Sequence, residues 1–375
     1  MTVVGLDGVL RRYEWGSRTA IPELLGIPAD GRPAAELWFG AHPDDPSTVP
    51  IRGATLDELI EADPASMLGP GVLDRFGPRL PFLLKILAAD KALSIQVHPD
   101  LEQARVGFAA EDAAGIGRSA PNRNYRDANH KPELLCALTP FHALCGFRPP
   151  EQTRALLAEL DEPELGFLDA ALRGPDPLRT AFTAVLTHPD PASAVGAVSA
   201  RAEGVTEGPL LATRLAAEDF PGDVGVLLTV LLNDVRLEPG EAIYLGAGNV
   251  HAYLRGTGVE IMANSDNVLR CGLTGKHVDV QELLRITDFT ELRDPRWPSV
   301  GGSFDVPVPD FRLTRLEIDE STGLHDPGPL IVLGTSGEVA VGDVATPAGH
   351  AAFVPAGTAT TISGRGVVFI AGAGG

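Results

Sequence analysis

Short apolar runs broken by Pro and Gly dominate both ends of the chain, and a helical pattern occupies its middle. Residues 1 to 100 alternate strand-like runs with turns, as in "AELWFGAHPDDPS" and "PFLLKILAADKALSIQVHPD". One short helix is expected at 55 to 62. Residues 101 to 129 begin helical and end as a polar loop, and "HKPELLCAL" then reads as a strand. From about 150 to 235, apolar positions recur at helical spacing in "EQTRALLAELDEPELGFLDAALRG", "PASAVGAVSARAEG" and "GDVGVLLTVLLNDV". The β pattern returns at 236, a further short helix is expected at 278 to 286, and residues 310 to 375 read as strands and turns only. One stretch stands out. In "LSIQVHPD", residues 93 to 100, strand alternation puts Leu93, Ile95 and Val97 on one face and Ser94, Gln96 and His98 on the other. Such a polar row either meets water or looks into a cavity.

A weak internal repeat adds to the picture. "GEAIYLGAGNVH" (240 to 251) aligns with "GHAAFVPAGTAT" (349 to 360), each a strand, a tight Pro/Gly turn and a second strand. The first copy ends on His251 and the second on Thr360. The pattern resembles the second signature of the cupin β-barrel, whose His ligates a metal. The expected fold is therefore mainly β with a helical insertion: two cupin-type, jelly-roll-like β-barrels plus an α-helical domain. Residues 1–149 with 236–300 are read as the catalytic metal-binding barrel, 150–235 as the helical insertion, and 301–375 as a C-terminal barrel without metal ligands.

On that reading "SIQVHPD" supplies inward ligands from an upstream strand. Gln96 stands where cupins usually have the first His of an H-x-H pair, His98 is the second, and Glu133 in "NHKPEL" is the best carboxylate. The proposed set is Gln96, His98, Glu133 and His251. Two imidazoles, a carboxylate and an amide carbonyl suit Zn²⁺ with a position left open for chemistry. Mn²⁺, Fe²⁺ and Co²⁺ are compatible with the same donors. His42 is a candidate for the wall of the same barrel; His142, His188, His325 and His350 have no such context.

Charge and composition narrow the partners. The formal charge is −20, which repels nucleic acid phosphates and anionic membrane surfaces, so neither is an expected partner. No apolar run is long enough to span a bilayer. The start "MTVVGLDGVLRRYEWG" lacks the pattern of an export signal, and three cysteines without a CxxC read as reduced thiols, so a cytoplasmic setting is expected. Of the 30 basic residues only Lys85, Lys91, Lys131 and Lys276 are lysines. A lysine kept in such a background suggests a task that needs a compact charge whose proton can be moved, which Arg does not offer.

The segments "YEWG", "AELWFGAHP", "PFLLKIL", "LSIQVHPD", "APNRNYRDANHKPEL", "FHALCGFRP" and "NVHAYLRGTGVEIMANSDNVLRCGLTGKHVDVQELL" occur in this order over most of the first 290 residues. Together they resemble type I phosphomannose isomerases, which interconvert mannose 6-phosphate and fructose 6-phosphate with one zinc ion. The resemblance implies the same four ligands and places the family's active-site arginine on Arg270. "CGLTGK" departs from the family's common Ala-Gly-Leu-Thr-Pro-Lys, with Gly275 loosening a turn beside Arg270. For an aldose–ketose interconversion through an enediol(ate), Arg270 would supply a fixed positive charge. Lys131, two residues before Glu133 and so on the same strand face, is a candidate acid/base, and Asp266 a candidate to orient Arg270 or move a proton. Lys85, Ser94, Lys131 and Arg270 are candidates for the phosphate, with Lys91 and Lys276 as rim charges. Trp15, Tyr253 and Glu260 are read as cavity walls, with barrel packing the competing reading for Trp15 and Tyr253. A small sugar phosphate and a monomer are expected. The competing functional readings are another metal-dependent bicupin, either an oxygenase or a sugar-phosphate sensor.

Overall fold

Strand segments pair antiparallel into two large sheets in the computed structural model, which describes residues 2–375. The first sheet has eleven strands and the second eight. The long strand His251–Ala263 joins the first sheet's two halves. Its start pairs with Ile95–Val97 and Phe141–Phe147, and its end with Phe82–Ala89 and Glu133–Ala137. The bend between them falls at Gly256, with φ of 120°. A Cβ there would lie 2.7 Å from the Phe141 ring, so only glycine permits both the turn and the approach.

The internal repeat is visible as structure. Ala242–Leu245 leads through a turn into His251–Ala263, and Ala351–Val354 leads through a turn into Thr360–Gly372. The aligned turn glycines, Gly248 and Gly357, both have positive φ. His251 and Thr360 each open a long strand of 13 residues.

Two boundaries differ from the sequence reading. The strand after the helical insertion begins at Leu232, four residues before the expected 236. More consequentially, Val4–Leu6 does not join the first barrel; it pairs with Ala351–Val354 in the second sheet. Val4 and Leu6 complete a core there with Ile331, Leu333 and Phe353. Alternation identifies a strand but not the sheet that will accept it.

Three packing layers position the site. Leu84 and Ile86 bury outward against the second sheet, in one core with Phe353 and Phe369. The helices from Pro150 to Leu231 cover the other side, where Ile95 and Val97 meet Leu156, Phe182 and Val198. Full burial of Ile95 and Val97 stabilises this layer by about 2 kcal/mol each, and it forces their alternate neighbours inward. Between the layers, Leu87, Leu135, Ala143 and Ile243 fill one part of the barrel interior, leaving the rest to polar side chains.

The end of "LSIQVHPD" also has a local cause. The strand is only Ile95–Val97, and Asp100 caps the Leu101–Ala113 helix, accepting from Gln103 N–H while Gln103 returns the bond to Asp100 N–H. The chain then comes back through a long loop pinned by Tyr125, whose ring packs on Gly107, and by Arg123, paired with Glu111 at 2.9 Å and Asp112 at 2.8 Å.

Candidate metal centre and catalytic cavity

Strand pairing sets Gln96 directly opposite His251 on one side and Arg270 on the other. His98 follows two residues later, and Glu133 opens its own strand from across the barrel. The result is a tight, buried cluster. His98 Nε2 lies 3.4 Å from Glu133 Oε1, and His251 Nε2 lies 3.4 Å from Glu133 Oε2. The Gln96 amide is 3.3 Å from His251 Nε2, and half a turn of that amide presents its carbonyl instead.

Tautomers decide what this cluster wants. His98 Nδ1–H donates to the Asn267 carbonyl at 2.7 Å, and His251 Nδ1–H donates to the Asn249 carbonyl at 3.0 Å. Each ring therefore keeps its proton on Nδ1 and aims the Nε2 lone pair at a carboxylate. His98 Nε2 and Glu133 Oε2 have no hydrogen-bond partner, though both are fully enclosed. Burial holds His98 down to about 4, so it is neutral at ordinary pH. Burial also pushes Glu133 up, but the Lys131 ammonium beside it leads the influences that outweigh burial, and the carboxylate stays well below its usual range. Lone pairs converging on a buried anion are unfavourable unless a cation sits among them. The donor set fits a divalent metal, with zinc the best match to two imidazoles and a carboxylate.

A cavity of about 650 Å³ opens beside this cluster. Gln96, Ser94, Lys131, Arg270, Asp266, Trp15 and Lys85 all line it, and so does Leu93, which simple alternation had placed on the opposite face. Leu93 and Ser94 precede the strand proper, so the rule does not reach them. All four lysines of the chain line this one cavity.

Several expected roles change. Tyr253 and Glu260 are not cavity walls: both are sealed in the barrel interior beneath it, with Tyr253 O–H donating to Glu260 at 2.7 Å. Lys85 is not a free cation for phosphate, because it pairs with Glu260 at 3.1 Å and Glu36 at 3.6 Å. Burial alone would lower its pKa, but the two carboxylates outweigh burial and raise it. Lys131 lies just before its strand rather than on it, yet its Nζ reaches Glu133 at 3.1 Å. Asp266 does not orient Arg270; its carboxylate faces His42 Nε2 at 3.7 Å, while its N–H donates to Asp127.

Arg270 has different company. The charges that act on it and on which it acts are those of Arg126 and Lys276, both also on the cavity wall. Burial and Arg126 lower the Arg270 pKa, and Arg270, burial and Arg126 lower that of Lys276. Among the described residues none of the three is paired with a carboxylate. Three like charges crowd one wall and are relieved by an anion.

Sequence reasoning missed Glu36, Arg126 and Asn267. Glu36 had a signal: a carboxylate in an otherwise apolar strand calls for a buried cation. Asn267 holds the long loop, accepting from Arg126 N–H at 2.7 Å and donating to the Asn129 carbonyl at 2.8 Å. Its own carbonyl orients His98. No local pattern announces that double task.

Comparison with known proteins agrees with this geometry. Residues 3–150 match the family model for phosphomannose isomerase type I, catalytic domain. The chain is 37% identical over 380 residues to mannose-6-phosphate isomerase of Escherichia coli K12, covering 95% of this chain and 96% of that protein. The Salmonella typhimurium mannose-6-phosphate isomerase is 40% identical over 336 residues, covering 84% and 85%. A zinc-bound crystal structure of mannose 6-phosphate isomerase superposes with a TM-score of 0.91 at 36% identity, covering 100% of both chains.

Proposed function

We propose, from the premise that this chain belongs to the type I phosphomannose isomerase family, how its own residues carry that reaction. The protein is a metal-dependent isomerase that interconverts mannose 6-phosphate and fructose 6-phosphate. The observation that carries the reading is the buried His98, Glu133 and His251 cluster with its partnerless atoms, beside a cavity whose wall includes Gln96 and the unpaired cations Arg126, Arg270 and Lys276.

Gln96, His98, Glu133 and His251 would hold a Zn²⁺ ion, which would supply Lewis-acid chemistry toward the sugar oxygens. Arg270, strand neighbour of Gln96, adds a fixed positive charge beside those oxygens. Arg126 and Lys276, with Arg270, hold the phosphate, and Ser94 adds a hydroxyl donor from the same wall. Proton transfer between C2 and C1 is assigned to Lys131 and Asp266, both on the cavity wall. His42 stands behind Asp266; its Nδ1 accepts from Asp44 N–H at 3.2 Å, which fixes the ring proton on Nε2, toward Asp266. Lys91 remains a rim charge, and Trp15 an apolar wall stacked on Tyr13.

The bicupin alternatives are less favoured by these comparisons. Three buried free thiols suit a reducing cytoplasm, and gel filtration should give the monomer mass of 39.4 kDa. No helix among the described residues is long and apolar enough to cross a membrane. The test of function is a coupled assay with mannose 6-phosphate. Chelation should abolish turnover and zinc restore it; full activity in metal-stripped protein would refute the metal mechanism.

A further inference from the structure

We propose that a second cavity, adjoining the catalytic one, binds an organic polyphosphate of the nucleoside-diphosphate class, and that its occupant restrains isomerisation. The cavity measures about 1160 Å³. It lies between the end of the Pro64–Phe76 helix, the Leu101–Ala113 helix, the loop after it, and Pro309 and Asp310 of the C-terminal segment.

Five arginines line it: Arg75, Arg79, Arg105, Arg118 and Arg126. The chain carries 50 acidic residues against 30 basic ones, and most of its other arginines are ion-paired. Among the described residues none of these five is. Arg75 donates to the Gly374 carbonyl at 2.9 Å and Arg79 to the Phe76 carbonyl at 3.1 Å, while Arg118 rests over the Phe108 ring. The guanidinium ends of Arg105, Arg118 and Arg126 meet no protein acceptor among the described residues.

Of the four carboxylates that line the cavity, Asp310 pairs with His130 at 2.9 Å, Asp127 accepts from Ser265 and from Asp266 N–H, Asp266 faces His42, and Asp44 has no ionic partner among the described residues. Asp44 and Asp266 lie on the wall shared with the catalytic cavity, so an anion is directed to the arginine rim. One phosphate is satisfied by two or three guanidinium forks. Five of them, spread over several segments around a volume larger than the catalytic cavity, fit two or more phosphates. Phe76, Leu101 and Pro309 provide an apolar wall for an uncharged ring.

The link to catalysis is a shared wall: His42, Asp44, Arg126, Ser265 and Asp266 line both cavities. A polyphosphate that engages Arg126 withdraws one of the cations that serve the sugar phosphate. That clause rests on the function proposed above; the binding does not.

The test is calorimetric titration of the zinc-loaded full chain with ADP, and separately with inorganic pyrophosphate. The chain, its Arg270→Ala variant and an Arg79→Ala/Arg105→Ala/Arg118→Ala variant are compared, with Arg118→Glu as a single-site check should the triple variant misfold. Wild type and Arg270→Ala should bind one ADP, and the triple variant should bind about tenfold more weakly or worse. ADP should raise the KM for mannose 6-phosphate in wild type but not in the triple variant. Absence of binding at millimolar ADP overturns the site. So does loss of binding in Arg270→Ala alone, which places the anion in the catalytic cavity, or equal binding of ADP and pyrophosphate that moderate salt removes. Binding without any effect on KM overturns the restraint. The heat is read whether or not the chain isomerises, so failure of this site and failure of the proposed function are distinguishable.

Discussion

Replacing Lys85 with Met is expected to destabilise the protein strongly, and by an amount that depends on pH. Lys85 Nζ stands between Glu260 at 3.1 Å and Glu36 at 3.6 Å, and the three side chains are 6%, 2% and 8% exposed. Glu260 also accepts from Tyr253, and Glu36 from Trp38 Nε1 at 2.7 Å, so neither carboxylate can turn to water. Removing the cation leaves two buried anions, at a cost of about 3–5 kcal/mol near pH 8. Burial already raises the Glu260 pKa, and Lys85 is the largest influence holding it down. Without Lys85 the folded state takes up a proton that the unfolded state does not hold. Stability of the variant therefore rises as pH falls toward the ordinary carboxylate range, by up to about 1.4 kcal/mol per pH unit. Urea unfolding at about pH 8 and about pH 5.5 reads both effects, and adding Glu260→Gln to Lys85→Met should recover about 1–3 kcal/mol at the higher pH. A Lys85→Met protein within about 1 kcal/mol of wild type, or equally weakened at both pH values, would refute the reasoning.

Arg270→Ala should lower kcat about a hundredfold or more with zinc content unchanged; if only zinc content falls, Arg270 is structural. Gly107→Ala sets a Cβ 2.3 Å from the Tyr125 ring and should cost about 1–3 kcal/mol, with faster hydrogen exchange across the loop after the Leu101–Ala113 helix. Wild-type exchange in that loop would show that the ring moves aside freely. Metal-stripped protein should lose stability as pH falls from 6.5 toward 4, because His98 is buried neutral and must charge on unfolding. That contribution is about 3 kcal/mol, read from urea midpoints across the interval; a flat profile there contradicts the neutral state assigned to His98.

What was legible in the sequence was what short-range geometry determines. His98 and Gln96 could be placed together because strand alternation is local, and His251 because its strand–turn–strand pattern recurs at Thr360. Partners that arrive from distant segments were not legible. Lys85 looked like a phosphate ligand until Glu36, from another strand, and Glu260, far along the chain, closed on it. Asp266 looked like a partner for Arg270 because four residues separate them. Asp266 instead lies ahead of the strand that carries Arg270 and faces His42. Val4–Leu6 was grouped with the first barrel by its place in the chain and joined the other sheet, since a short apolar run carries no address.

The gathering of all four lysines on one cavity has a practical side. Lys85 and Lys131 are buried, so the side-chain amines open to reagents are those of Lys91 and Lys276 at the cavity rim. Crowding by Arg270 first, then burial and Arg126, favours the neutral, nucleophilic form of Lys276. Apart from the α-amino group, amine-directed labels, crosslinkers and resins can attach only at the mouth of the active site. Ordinary lysine coupling would tether this enzyme by its own entrance, and a bound sugar phosphate should protect it.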